Sequence, residues 1–495
     1  MENRQTDGTV VSISEFKGLW QYGQSFSGDP RYAMECENAQ TREGVLRPMA
    51  ACRLLNGALD APIETLARLH RRWHTQQEEH DVLVAASGGQ LYWMLPGGES
   101  WTQMTLPAGW NGDCYQSNAW SYVAYEMNPE GSDAPVDVLL MSNARDGMVC
   151  VRGDTMTVSR VETPQKFGVI ARHAERIWGG AIAGNPDMLA YSAPFDPFDW
   201  RQNTESPEDG AGDVMQPSWD GDSFTTLTPF GDQLMALKRT RVWRILGASP
   251  GEYAFKEQYG GGAPFAATVA VDGTRILMLG RQGLLCYDGE SVIPYYQEMA
   301  GRVFEQANPQ ALENACACLW RDTYYLALPL DGAKVNNAVL AYNTREGTFL
   351  LRRDVQVESF LPTENALYFT SAPTPGRVWL WQDDCWQKGC MAQPMRWVGP
   401  WCDLGRKDVH KGGFTVYITV ENHQAMQLRL SIQTDRRIKT KTLTFPALPA
   451  GAESRQKSVR FGGGGRRFRL KIASDGSAPW RLVGGVQIQA ELDAD

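Results

Sequence analysis

One pattern recurs along this chain and restricts its possible folds more than any other. It is a short apolar run, a tight polar turn, and a second apolar run that carries an aromatic residue. In segment 171–200, ARHAERIWGGAIAGNPDMLAYSAPFDPFDW, the runs are 176–182 and 188–192, and the turn is Gly184-Asn185-Pro186-Asp187. Segments 81–95, 137–151, 231–246, 274–289, 323–343 and 365–383 share the form. Their anchors are Tyr92, Tyr191, Trp243, Tyr287, Tyr342 and Trp379, with Cys150 in the equivalent place, and neighbouring anchors lie 37 to 58 residues apart. Short β-branched and aromatic runs bounded by Gly, Asn, Asp and Pro predict strands. One small sheet cannot bury both its faces. Packing neighbours radially buries them and leaves only short, protected edges. The expected fold is therefore all-β: a β-propeller of about seven blades, with six or eight also compatible. Hairpin 175–192 would be the inner part of one blade. Two or three stacked β-sandwiches are the competing arrangement.

At 495 residues the chain exceeds one ordinary core, so further units are expected. Residues 1–43 are polar apart from FKGLWQYGQSF and predict an N-terminal arm, reaching a neighbour or folding over its own propeller. The run 44–55 is expected to meet the last blade and close a propeller spanning 44–384. A Cys/Trp-rich connector, 385–402, follows. Residues 403–495 alternate apolar and polar, clearest in MQLRLSIQ, and predict a small antiparallel β-sandwich. Gly462 to Gly465 read as a flexible hairpin tip inside it. Helical periodicity is scarce; the best candidate, 296–315, is interrupted by Pro309.

The net charge of −9 conceals an asymmetry. From Pro400 onward sixteen Lys/Arg stand against nine Asp/Glu, while the remainder carries an acidic excess. An acidic body with a basic C-terminal module predicts different partners for the two. The basic residues cluster at Arg436, Arg437, Lys439 and Lys441, and again at Arg455, Lys457, Arg460, Arg466, Arg467, Arg469 and Lys471. Arg436, Arg437, Lys439, Lys441, Arg466, Arg467, Arg469 and Lys471 form the candidate docking surface. Without interleaved exposed aromatics, docking on an acidic protein is favoured over nucleic-acid contact. The start MENRQTDGTV has no basic and apolar leader, and no window is long and apolar enough to span a bilayer. Ten irregularly spaced cysteines then predict reduced thiols.

Candidate chemistry is sparse. The G-x-S-x-G at 247–251 places Pro250 after Ser249, and proline has no N–H for an oxyanion. His70 and His74 have helical metal-ligand spacing but lie in a segment that alternates as a strand. Cys385, Cys390, Cys402 and His410 could compose a zinc site, yet the C-x₂-C knuckle is missing and a packed Cys/Trp seam is the better reading. Cys316 and Cys318 share one strand face as buried thiols. Pairs such as Asp196/Asp199 and Glu208/Asp209 carry little information, although a propeller glycosidase would need two such carboxylates. No catalytic, metal or cofactor set emerges, and no cofactor is expected.

The unit 171–200 resembles a blade of phage virion proteins in which R-x-W, G, P-D, Y-S and a later W recur. PRYAMECENAQTREGVLRPMAACRLL resembles the entry to such propellers, with Met49-Ala50-Ala51 where a closing glycine is usual. RRFRLKIASDGSAPWRLVGGVQIQAEL resembles the C-terminal strands of tailed-phage packaged-DNA stabilisation proteins, the tail-nozzle or head-completion family. The resemblance spans about two-thirds of the chain at the level of pattern. It implies a non-enzymatic virion protein, assembled in the host cytoplasm, forming a homo-oligomeric ring, expected to be a hexamer, at the head–tail junction or nozzle. Its partners would be portal, adaptor or other tail proteins, with non-specific contact to the packaged DNA it helps retain. The alternative is a propeller glycoside hydrolase or carbohydrate-binding tail protein.

Overall fold

The computed structural model describes residues 9–21, 28–73, 78–107, 120–128, 135–216, 221–247, 249–381 and 393–492. Strands dominate, and four-stranded antiparallel sheets follow one another along the chain. Unit one holds Ile63–Trp73, Glu78–Ser87, Gln90–Met94 and Thr102–Gln103. Unit two holds Ser121–Met127, Val136–Asn143, Gly147–Arg152 and Val158–Val161. Unit three holds Val169–His173, Arg176–Gly180, Met188–Tyr191 and Gly212–Met215; unit four holds Phe224–Phe230, Gln233–Lys238, Val242–Leu246 and Ala254–Gln258. Unit five holds Ala270–Asp272, Arg275–Gly280, Gly283–Tyr287 and Val292–Pro294; unit six holds Cys316–Trp320, Thr323–Leu328, Ala338–Asn343 and Thr348–Arg353. Ser359–Pro362, Leu367–Thr370 and Val378–Trp381 form unit seven, whose fourth strand is Arg53–Leu54 from far upstream.

Every hairpin singled out by its aromatic anchor supplies the two middle strands of a unit. Hairpin 175–192 is therefore not the inner part of its sheet. Val169–His173 precedes it, and the first strands of units one to four pack on one another in turn, as do those of units five to seven, with unit seven returning to unit one. The middle strands are buried on both sides, which is why they read most clearly as apolar runs.

Six of the seven interfaces between units have an apolar core of their own, and the one between units five and six, where Leu277 and Leu279 meet Leu326 and Leu340, is continuous with the core of the outer sheets. Leu69, Val82 and Val84 meet Leu139 and Val151 between units one and two. Leu140 and Cys150 meet Ile177 and Ala190 between units two and three. Trp178 and Leu189 meet Leu234 and Trp243, then Met235 and Leu237 meet Ile276 and Tyr287. Ala327 and Val339 of unit six meet Leu367 and Phe369 of unit seven. Leu361, Tyr368 and Val378 of unit seven meet Leu66, Leu83 and Leu55, which closes the circuit of a β-propeller. At about 1.5–3 kcal/mol per buried aliphatic side chain, each interface is a substantial stabilising layer. Buried Lys238 of unit four forms an ion pair with Asp187 of unit three, so the next junction is fastened by charge as well.

Residues beyond the ring form two sheets that face each other across one apolar core. One has the order Val10–Ile13, Trp480–Leu492, Lys411–Asn422, Arg455–Gly465. The other extends outward from Thr348–Arg353 of unit six through Glu35–Glu37, Met395–Val398, Phe468–Ser474, Met426–Thr434 and Ile438–Phe445. Period-two alternation aims Phe414, Val416 and Ile418 at Leu428, Leu430 and Ile432 across the gap.

Several expectations change here. Of the two courses expected for 1–43, the described part folds back onto its own chain: Val10–Ile13 pairs with Trp480–Leu492, and Glu35–Glu37 bridges unit six to the outer sheet. Backbone groups of an isolated strand find partners at these two edges. The outer sheet already includes Met395–Val398, upstream of the expected boundary at 403. Gly462 to Gly465 are not a flexible tip; they end the strand Arg455–Gly465. A Cβ on Gly464 would collide with His410 and the Lys411 carbonyl, and one on Gly465 with Asp435. These glycines serve close packing, not mobility. The helical candidate reduces to Gln297–Glu305 and a 3₁₀ turn at Leu312–Asn314 on either side of Pro309.

Candidate ligand-binding cleft

The residues flagged by the sequence do not assemble into a catalytic centre. Ser249 precedes a 3₁₀ turn, Pro250–Glu252, so no helix opens behind it. Asp199 is held below the usual carboxylate range by its hydrogen bonds from Arg201 and lies on an exposed loop, and Asp196 accepts the Phe198 N–H at 2.8 Å. Glu208 and Asp209 belong to the 3₁₀ turn Pro207–Asp209. His70 pairs with Asp81 at 2.9 Å on a strand, and His74 lies outside the described residues. Cys402 is tied by backbone hydrogen bonds to Phe468, whereas Cys385 and Cys390 lie outside the described residues. Cys316 and Cys318 share one buried face, where burial pushes both thiols up. Among the described residues no three His, Cys, Asp or Glu side chains gather as a metal site, and no helix is long and apolar enough to cross a membrane.

The basic candidates meet at one end of the outer sheet. Arg436 and Arg437 occupy a turn whose N–H groups donate to Thr434 Oγ1, at 3.3 and 3.2 Å. Asp435 of that turn accepts the Arg466 N–H at 3.1 Å, joining it to the Arg466-Arg467 turn. Arg467 and Arg469 each lie 4.8 Å from the Trp401 ring. Burial lowers Arg469 and Lys471, and neighbouring Arg396 adds repulsion to both. Lys439 and Lys441 stand apart along the exposed edge strand.

A concave site rich in arginine and aromatic side chains was not legible in the sequence. It lies where units six and seven meet the entry segment, with a volume of about 250 Å³. Its rim begins with the two-residue turn Arg321-Asp322, closed by paired Trp320 and Thr323. Both turn residues have left-handed φ, +47° and +58°, as a twisted hairpin requires. Glycine is the residue that adopts this conformation freely; side chains there cost about 1–2 kcal/mol each. The neighbouring turn is shaped by Asn343, whose Oδ1 accepts the N–H groups of Arg345 and Glu346 at 3.0 and 2.8 Å. Thr344 N–H then donates to the Asp322 carbonyl at 2.8 Å, locking the two turns together.

Trp320, Tyr325 and Trp381 supply the aromatic floor, with Tyr325 and Trp381 ring centres 5.2 Å apart. Gln40, Thr41, Arg42 and Arg47 supply the facing wall. Arg352 completes the site. It is only 3% exposed, its Nη2 donates to the Ala50 carbonyl at 2.8 Å, and its guanidinium stacks 4.3 Å over Trp381. Its Nε is enclosed without a hydrogen-bond partner among the described residues. A signal existed in the arginine-bearing hairpin WRDT, but a turn without glycine or asparagine gives little warning of its shape.

Two carboxyl groups are displaced toward the protonated form. Burial pushes Glu64 up, and its Oε2 is enclosed without a hydrogen-bond partner. Crowding also pushes up Glu358, which keeps access to solvent. Neither lines the cleft, whose own carboxylates, Asp322 and Glu346, sit on exposed turns.

No family model and no curated protein matches this sequence. Solved structures do align. BBS1N in complex with ARL6DN covers 66% of this chain and 97% of its own at 9% identity, TM-score 0.41. A glycoside hydrolase family 43 arabinoxylan arabinofuranohydrolase from Bacillus subtilis covers 88% and 97% at 8% identity, TM-score 0.24. An exo-beta-1,3-galactanase from Phanerochaete chrysosporium covers 89% and 99% at 9% identity, TM-score 0.27. Likeness this slight transfers no activity. One expectation is corrected: the non-enzymatic virion ring subunit is withdrawn, since none of these three structures is named as a phage head–tail protein and two are named as a glycoside hydrolase and a galactanase.

Proposed function

We propose that this chain is a carbohydrate-binding protein, built on a seven-bladed β-propeller with a C-terminal β-sandwich. The count is supported by the circuit of interface cores from unit one through unit seven. The sandwich is supported by the core shared between the two outer sheets. The observation that carries the function is the cleft between units six and seven. Saccharides present apolar C–H faces edged by hydroxyls, and a site for them combines aromatic surface with convergent donors and acceptors. Trp320, Tyr325 and Trp381 provide the first; Thr41, Thr323, Asn343, Thr348 and the arginines provide the second. The volume leaves room for a single small polar ring.

Binding is favoured over hydrolysis on electrostatic grounds. A glycosidase needs one carboxyl kept protonated opposite a second one. In the cleft, the two carboxylates, Asp322 and Glu346, both sit on exposed turns, and among the described residues no buried carboxyl lines the site opposite them.

Calorimetric titration with oligosaccharides, followed by hydrogen-exchange footprinting, tests this reading. Binding with protection of residues 320–325 and 343–348 is expected. No binding at about millimolar saccharide, or protection confined elsewhere, overturns it.

A further inference from the structure

We infer that the cleft selects saccharides bearing a carboxylate, such as uronic acids, with Arg352 as the residue that reads the acid. The inference rests on the cleft being a sugar site and names the class of sugar it takes.

Three observations converge. Arg42, Arg47, Arg321, Arg345 and Arg352 line a cleft that holds only two carboxylates, Asp322 and Glu346. A neutral sugar finds hydrogen-bond donors in such an excess but no net electrostatic attraction, whereas an anion is drawn to it. Next, Arg352 is buried and incompletely paired. Its Nη2 donates to the Ala50 carbonyl, its Nε is enclosed without a hydrogen-bond partner among the described residues, and its plane lies against Trp381. A buried cation left this way is costly unless something else completes its shell. A guanidinium already held flat presents the fork that a carboxylate accepts in paired hydrogen bonds. Last, the Arg321-Asp322 turn keeps side chains in a conformation that glycine would adopt more cheaply. Retaining an arginine there holds a second guanidinium at the rim, 4.4 Å over Trp320.

The test compares two probes that differ only in the acid: tri-galacturonate and the matched neutral galactose trisaccharide, titrated into the full chain. The acidic probe is expected to bind at least tenfold more tightly, with affinity falling as salt rises. Arg352→Met should erase the preference, so that the acidic and neutral probes bind with equal affinity. Arg321→Gln, on an exposed turn that tolerates substitution, should reduce it severalfold and serves as the control if Arg352→Met does not fold. Equal binding of the two probes overturns the inference and leaves the sugar-binding reading standing. Failure of both probes, with neutral saccharides also failing, overturns both. Displacement of the acidic probe by inorganic phosphate at equal concentration would show that the site reads charge and not a carboxylated sugar, and would overturn the inference as well.

Discussion

The guanidinium of Arg352 lies 4.3 Å over the ring of Trp381, so that one residue of the sixth unit rests on the last residue of the seventh. Its Nη2 donates to the carbonyl of Ala50, in the entry segment, at 2.8 Å. Three distant parts of the chain therefore meet around one incompletely paired cation. Cation–π contact and one charge-assisted hydrogen bond stabilise this arrangement, and desolvation of an unpaired charge opposes it. Arg352→Met, which keeps volume and removes the charge, should change stability by less than ~1 kcal/mol in a denaturant titration. A loss several times larger would mean that the arginine is there to hold the fold.

Asn343 organises the second turn of the cleft through two backbone N–H groups. Asn343→Ala should cost about 1–2 kcal/mol and loosen residues 344–347 first. Faster hydrogen exchange in that turn, with the strands on either side unchanged, is the expected readout.

Ring closure depends on a short strand. Leu54 pairs with Trp379, and neighbouring Leu55, 5% exposed, packs into the core between units seven and one. Leu55→Ala should cost about 2–5 kcal/mol, through lost burial and the cavity left behind. Because that core joins the two ends of the ring, calorimetry should show a lowered and broadened transition; an unchanged melting profile would refute closure at this site.

The glycine run supplies a paired comparison. A Cβ at Gly462 meets nothing, whereas at Gly464 it collides with His410 and the Lys411 backbone. Gly462→Ala should be tolerated within about 0.5 kcal/mol, and Gly464→Ala should cost about 1–3 kcal/mol or more. Equal effects at the two positions would restore the picture of a flexible tip.

Glu64 gives a pH signature. Its folded pKa is raised by burial, so the folded state binds its proton more tightly than the unfolded chain does. Stability from this group is greatest at acid pH, and it is lost as pH rises from the ordinary carboxylate value through the raised one. Glu64→Gln should therefore raise the melting temperature at neutral pH and make little difference below about pH 4. A variant less stable at neutral pH would show that the ionised carboxylate has a partner in the folded protein.

What the chain reveals on reading and what it withholds divide along the range of the interactions. Turn chemistry and alternation act between near neighbours. They mark out the middle hairpins, from Ala85 beside Tyr92 to Phe369 beside Trp379, and with them the all-β propeller and its inward-facing C-terminal strands. The use of Arg53–Leu54 by the last unit and the splicing of Val10–Ile13 beside Trp480–Leu492 depend on contacts between opposite ends of the chain, which no local period encodes. The cleft belongs to the same class. Arg352, Trp381 and Arg47 are unremarkable where they stand in the sequence; only the circuit of packed sheets brings them together, buries the guanidinium and leaves it short of partners. Local periodicity decides which residues become strands, but desolvation and pairing at a site exist only once distant segments have met.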